Sequence, residues 1–420
     1  MSTNGPVTAC QICGHSPLAQ VLFLGYLPPV NTMRPIGAPH DLESWFPAEL
    51  LQCPVCHLVQ LGFAADPAVL FPPDYPYTSG TTRILRENFA ELYREAQPML
   101  KLTAQDLVVD IGSNDGTLLK NFLTGGHRVL GIEPSLTSNL ALADGVETWM
   151  TFFGKDSAVR ISAEKGKARL VTAANVFAHI PDINGIVEAI GSILTDDGVF
   201  ISESHYLLDL VKTVQYDTIY HEHLRYYSLH SLKYLLELHG FHIFHVKRIP
   251  THGGSVRVYA SRSPKYRVRA SVERLLALEV KAGLNGDSWA PTFRDRVIAS
   301  KLKLYALLKK LKTKGQHIYA ISAPSRASTL VNYVGLDDGI IDCVLEISGS
   351  KKIGKYMPGR GIPVLEESKL YADQPESVLL LAWHIADELM INLKKRGYSG
   401  DFIVPLPVPR IVKNDAVAVV

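Results

Sequence analysis

The chain is short of most features that would take it out of the ordinary globular class. No apolar run reaches the ~18 residues a bilayer helix needs, and Met1–Pro6 shows no basic-then-apolar leader pattern. Neither a membrane partner nor export is expected, and the expected location is cytoplasmic. Charge of one sign is also scarce: 43 Lys and Arg face 41 Asp and Glu, leaving a net +2. That balance argues against a nucleic-acid partner and suits small or modestly anionic substrates. No segment is low in complexity and no period of 20–50 residues recurs, which excludes solenoids and repeat arrays. Five cysteines in 420 residues are too few for a disulfide framework.

What is present is more specific. Four of the five cysteines fall in two C-x2-C knuckles, Cys10-Gln11-Ile12-Cys13 and Cys53-Pro54-Val55-Cys56. Two knuckles can surround one tetrahedral Zn2+ with soft thiolates. All four positions would then be sulfur, so the metal would be structural, with no open site for chemistry. A redox pair would need a thioredoxin-like βαβ context, which is missing here. Cys343, in "IIDCVLEI", reads as a buried small hydrophobe.

The length calls for two or three domains. Residues 1–70, rich in turns and proline, read as a small N-terminal zinc-binding lobe. Residues 71–263 alternate strand and helix in the manner of a doubly wound α/β domain. A charged helical connector (264–314) begins with "YRVRASVERLLALEV", and a C-terminal Rossmann-like α/β domain (315–420) follows.

The cofactor signal lies in "LVVDIGSNDGTLLKNF". A buried strand ends in Asp110, and a turn bearing Gly112, Asn114, Asp115 and Gly116 opens a helix. Gly112 permits a tight turn and close backbone approach to a ligand. Glu133, at the end of the next strand in "VLGIEPS", can accept hydrogen bonds from ribose hydroxyls. Asp115 stands where a dinucleotide would need its phosphate. A sulfonium with an amino-acid tail tolerates that acid, so S-adenosylmethionine (SAM) is preferred over NAD. "TAANVFAHIPD" ends a further strand at Asn175 with His179 just beyond, at the edge where open α/β sheets bind ligands.

Taken together and in order, the cysteine pairs, DIGSNDGTLL, ANVFAHI, YHEHLRYYSL, HGGSVR, APSRASTLVNYVGL and KIGKYMPGRGIPV resemble the SAM-dependent C-methyltransferases of nucleotide-activated deoxysugars. These include the C-3 methyltransferases of branched-sugar pathways such as that of kijanose. The resemblance covers nearly the whole chain. It implies a nucleotide-diphosphate 4-keto-6-deoxysugar substrate, most readily dTDP-linked, deprotonated next to its ketone and methylated on carbon. His223 matches the family's general base, with Tyr220 and Glu222 beside it, in "DTIYHEHLRYYSL" (217–229). A tyrosine from the connector, Tyr75 or Tyr77, closes over the cofactor in such enzymes.

His221 has no assigned task, because in an extended segment its side chain points away from that of His223. A metal role for His-Glu-His lacks a third ligand. For the substrate, His179, Arg257 after the glycine turn, Ser325 and Arg326 at a helix start, and Lys352 and Arg360 in a charged loop are the candidates. Pro324 and Arg326 depart from the glycine- and alanine-rich, lysine-bearing turn usual in the family. A chain with this domain content could act as a monomer. A zinc-ribbon RNA methyltransferase and a non-catalytic zinc-bearing binding protein are the competing readings.

Overall fold

The computed structural model describes residues 4–39, 43–71, 80 and 82–418. Near the N-terminus, strands Ala19–Leu27, Phe46–Gln52 and Val59–Leu61 form an antiparallel sheet. In Phe46–Gln52, Ala48, Leu50 and Gln52 are buried while their neighbours are partly exposed, the period-two pattern of a sheet with one covered face. The fourth strand, Arg225–Tyr226, comes from far along the chain: Arg225 pairs with Gln60 and Tyr226 with Val59. The sheet around the cysteines is therefore completed by the tyrosine–histidine stretch.

The central sheet has seven strands, Leu107–Ile111, Arg128–Ile132, Thr148–Trp149, Ala168–Ala174, Leu194–His205, His242–Ile249 and Ser255–Ser261. Counted in chain order they lie 3-2-1-4-5-7-6, the seventh antiparallel to both neighbours. Every residue of Leu107–Ile111 is buried, as expected of a strand covered on both faces by helices. Among those helices are Arg83–Leu100, Thr117–Thr124 and Ile183–Ile193.

Helices Ala270–Lys281 and Ala290–Lys312 follow; the first starts four residues later than the charged pattern from Tyr266 suggests. In the second, Phe293, Val297, Ser300, Leu304, Leu308 and Leu311 make one buried stripe at helical spacing. It packs against both the first sheet and the C-terminal domain, with the Arg294 guanidinium donating to the Val21 carbonyl.

The last sheet contains Ile318–Ile321, Cys343–Glu346, Val364–Glu366, Ser377–Leu380, Asp401–Val404 and Arg410–Val412, ordered 3-2-1-4-5-6 with only the final strand antiparallel. Two doubly wound sheets thus occur in one chain, and each has a switch point between its first and fourth strands. Among the described residues no helix is long and apolar enough to cross a membrane.

Candidate active site

The four cysteine sulfurs lie within 4.8 Å of one another, with Cys10 3.4 Å from Cys56 and Cys13 3.5 Å from Cys53. Zinc–sulfur bonds of about 2.3 Å put tetrahedral thiolates about 3.8 Å apart, so this set fits a zinc ion. The backbone N–H groups of Ile12 and Val55 each donate to a cysteine sulfur at 3.4 Å, as C-x2-C knuckles do around a metal. Among the described residues these cysteines are the one group of His, Cys, Asp and Glu that could hold a metal. Asn184 donates to the carbonyls of Gln11 and Ile12, fastening the knuckle to helix Ile183–Ile193.

At the carboxyl edge of the central sheet a cavity of ≈ 1450 Å³ opens. Gly112, Asn114, Glu133, Asn175 and His179 line it. Gly112 has φ +68°, and a Cβ there would come within 2.5 Å of Val176 Cγ2. Glu133 braces the turn: Oε2 accepts from the Asn114 N–H (3.0 Å) and Oε1 from the Ser135 N–H (2.9 Å). Each oxygen keeps a lone pair for a ribose hydroxyl. The Asn175 Oδ1 is buried without a protein partner, an acceptor left open beside the cavity.

The other cofactor candidates build the turn from behind. Asp110 accepts from Thr172 Oγ1 at 2.6 Å, and burial pushes its carboxyl up to about 7. Asp115 accepts from the N–H groups of Gly80 and Thr117 and from the Thr117 hydroxyl, so it ties down the helix start and does not face the cavity. It does occupy donors that a dinucleotide phosphate would need. A Cβ on Gly116 would press on Ala141 and Val146, so that glycine serves packing. Tyr75 and Tyr77 lie outside the described residues.

Residues 217–224 are not extended. A 3-10 turn, Tyr216–Thr218, is followed by a second turn closed by the His223 N–H on the Tyr220 carbonyl. His221 does turn away from His223, but toward the zinc lobe, with Nε2 3.2 Å from the Pro47 carbonyl and its ring edge-on to Phe46. The His223 ring lies 4.1 Å from that of Tyr220, 5.1 Å from His179 and 5.0 Å from His205. His205 in turn stacks on His252 at 5.2 Å.

His223 Nδ1 sits 2.9 Å from the Thr218 carbonyl. A carbonyl only accepts, so Nδ1 carries the proton and the lone pair is on Nε2. Burial holds the His223 imidazolium well below its ordinary pKa, with the charges of His179, His252 and Arg326 as smaller contributors. Burial likewise brings His179 and His252 down to about 4 and pushes the Tyr220 phenol up. The ring cluster is therefore neutral at neutral pH. Glu222 Oε1 accepts from Asn31 Nδ2 (2.8 Å), and Asn31 Oδ1 accepts from Ser325 Oγ (3.1 Å). One carboxylate so links the N-terminal lobe, the histidine stretch and the C-terminal domain.

Of the substrate candidates, His179 bridges the cavity and His223. Lys352 is half-buried, with its ammonium on the Ala323 carbonyl and the charges of Glu346 and Glu222 nearby. Arg360 is half-buried and donates to the Asn332 carbonyl.

Two arginines depart from the substrate-binding expectation. Arg257 is 0% exposed. It gives its donors to Glu203 (2.6 Å), Glu95 (2.9 Å) and Asn88, because its strand points it under helix Arg83–Leu100. Arg326 donates to Asp217 through Nε (2.8 Å) and Nη2 (2.9 Å), which leaves no free fork for phosphate. Asp217, His205, His252, Asn31 and Trp383 escaped the sequence reading. Two of them stood in singled-out stretches, His252 before the glycine pair of "HGGSVR" and Asp217 at the start of "DTIYHEHLRYYSL".

The strand order, the braced glycine turn and the open cavity define a SAM-dependent methyltransferase. Residues 82–246 match the family described as "Methyltransferase domain", residues 250–407 that of "C-methyltransferase C-terminal domain", and residues 10–71 that of "Putative zinc binding domain". The C-methyltransferase NovU of Streptomyces niveus is 33% identical over 416 residues, 98% of each chain. The chain belongs to this C-methyltransferase family.

Two solved structures overlap the fold more loosely. A SAM-dependent methyltransferase of Clostridium acetobutylicum covers 42% of this chain and 92% of its own (13% identity, TM-score 0.34). The magnesium protoporphyrin IX methyltransferase of Synechocystis with bound SAM covers 44% and 88% (16% identity, TM-score 0.33). Overlaps this low decide nothing about the site.

Proposed function

We propose that the enzyme methylates C-3 of a nucleotide-diphosphate 4-keto-6-deoxysugar, with a dTDP-linked sugar the first substrate to test. The observation that carries this reading is His223, neutral, buried and oriented with its Nε2 lone pair free. Carbon has no lone pair to offer a methyl donor, so a base must first remove the proton beside the ketone. SAM, when bound along Gly112, Asn114, Glu133 and Asn175, supplies the electrophilic methyl group.

His223 Nε2 accepts the proton, and the electron pair of the broken C–H bond moves into the enolate. A buried imidazole with a depressed pKa is a weak base for a carbon acid, so the developing enolate oxygen needs donors. Tyr220 keeps its phenol proton at any physiological pH and serves as one donor. His179, between cavity and base, positions the sugar, and Glu222 is held by Asn31 to accept from a sugar hydroxyl. Lys352 and Arg360, on the C-terminal domain, are the groups for the diphosphate, whereas the Ser325 hydroxyl donates to Asn31.

Incubation with a panel of nucleotide 4-keto-6-deoxysugars in D2O tests the reading. Deuterium should enter at C-3 without SAM. His223→Ala should slow entry by about 10²–10⁴-fold, whereas His221→Ala should leave it intact. Exchange that survives in His223→Ala removes the base assignment, and exchange at C-5 changes the position.

A further inference from the structure

The Arg326 side chain reaches out of the C-terminal domain into the turn that carries the base. Arg326 is the second residue of helix Ser325–Val334 and is 6% exposed. Nε and Nη2 take the two oxygens of Asp217, Nη2 also reaches Gln215 Oε1 (3.0 Å), and the guanidinium lies 4.9 Å over the Trp383 ring. Trp383 Nε1 donates to the same Asp217 oxygen at 2.7 Å. Asp217 is 0% exposed, so these donors stand in for water around its carboxylate.

The next residue, Thr218, supplies the carbonyl that receives His223 Nδ1–H. One helical turn past Arg326, Thr329 Oγ1 donates to the Ile219 carbonyl at 3.2 Å. The helix thus holds both ends of the segment that selects the histidine tautomer.

We propose that Arg326, through its fork on Asp217, is a positioning residue that fixes the Thr218 carbonyl and thereby keeps the His223 lone pair on Nε2. This inference rests on the reading of His223 as base. The general reason is that a planar bidentate pair fixes orientation as well as distance, which a point-charge ammonium does not.

Groups facing His223 are Tyr220 and Tyr226 from its own stretch, His179, His205 and His252 from the central domain, and Arg326 itself. Arg326→Gln removes a cation that repels the imidazolium and leaves the Asp217 carboxylate uncompensated, so the acid limb of kcat/KM should move to higher pH. Asp217→Asn keeps the cation and should move it to lower pH.

In Arg326→Gln the kcat for nucleotide-sugar methylation should fall about 100-fold with KM nearly unchanged, and in Arg326→Lys about tenfold. SAM affinity should be kept in both. Nitrogen NMR of the histidine-labelled full chain, with the His223 signals assigned by His223→Gln, should show the Nδ1–H tautomer in the wild type. That signature should be weakened in Arg326→Lys and lost in Arg326→Gln.

A rise in KM at unchanged kcat would make Arg326 a substrate ligand and overturn the proposal. So would retention of the tautomer in Arg326→Lys and, where it folds, in Arg326→Gln. The NMR readout needs no substrate. Absence of deuterium exchange in the wild type with every sugar therefore sinks the proposed reaction and leaves the positioning claim to be judged on the tautomer alone.

Discussion

In the central domain, Glu133 at the end of the second strand holds the Asn114 N–H of the turn that follows the first. In the C-terminal domain, Glu346 at the end of its second strand holds the Ala323 N–H at 2.6 Å in the corresponding turn. Both turns also pass through a left-handed residue after the first strand, Gly112 and Ser322, each with φ +68°. The local device is the same, and the space in front of it differs. The central turn faces an open cavity of ≈ 1450 Å³. The helix after the C-terminal turn instead sends Ser325, Arg326 and Thr329 into Asn31, Asp217 and the Ile219 carbonyl. A doubly wound switch point can hold a ligand or hold another part of its own chain. Here the cavity reaches the histidine stretch through His179, and the C-terminal helix reaches it through Asp217.

The largest expected effect comes from the lobe that both ends lean on. The Val59–Leu61 strand, next to the cysteines, pairs with Arg225–Tyr226, two residues beyond His223. Structural zinc contributes about 10–16 kcal/mol to folding of small metal domains. Chelation or Cys53→Ser should therefore unfold the lobe and abolish the proposed deuterium exchange at C-3. Metal analysis should find about one zinc per chain. Retained exchange in metal-free protein would separate the lobe from the site.

Next is the paired test of the two braces. Glu133→Ala should weaken SAM binding about 100-fold by calorimetry, through loss of a charge-assisted acceptor and of the turn's support. Glu346→Ala should leave SAM affinity unchanged and lower stability by about 1–3 kcal/mol in urea unfolding. Equal losses of SAM affinity in both would erase the distinction between the two sheets.

Acid acts on the central domain with both signs. His179, His221 and His252 have imidazoles brought down to about 4 by burial. Between pH 6.5 and 4 the unfolded chain binds protons that these folded rings refuse, so they remove stability as pH falls, by ~1.4 kcal/mol per unit for each ring. Asp110, raised to about 7, acts oppositely: from about pH 4 to 7 the folded carboxyl holds a proton that the unfolded one releases. With His205, His223 and His384 also held down and Glu203 also raised, the depressed rings outnumber the raised carboxyls and predict a net loss of stability toward acid. His221→Gln should make the slope of urea stability against pH shallower by about one proton; an unchanged slope would contradict the assignment.

The smallest expected effect is Trp383→Phe, which removes one hydrogen bond to Asp217. It should cost about 1–2 kcal/mol and reduce kcat only severalfold, since the Arg326 fork remains.

What was legible and what was not follow from distance along the chain. The cysteine knuckles, the glycine turn and Glu133 are short-range patterns whose geometry follows from a few neighbouring residues. His223 stood out for the same reason, in a dense polar stretch. Asp115 was placed by its type at the right turn, but its carboxylate is spent on Gly80 and Thr117. Arg257 and Arg326 looked like anion ligands because an arginine near a glycine turn or a helix start usually has free donors. Their partners, Glu203 and Asp217, lie 54 and 109 residues away.

The sequence by itself determined the zinc set, the SAM turn, two α/β domains and a base candidate, because each depends on local spacing and side-chain chemistry. The tertiary structure decided which nitrogen of His223 is free, which arginines are already paired, and that three parts of the chain converge on one turn. Such choices depend on which buried donors and acceptors meet, and packing alone brings those groups together.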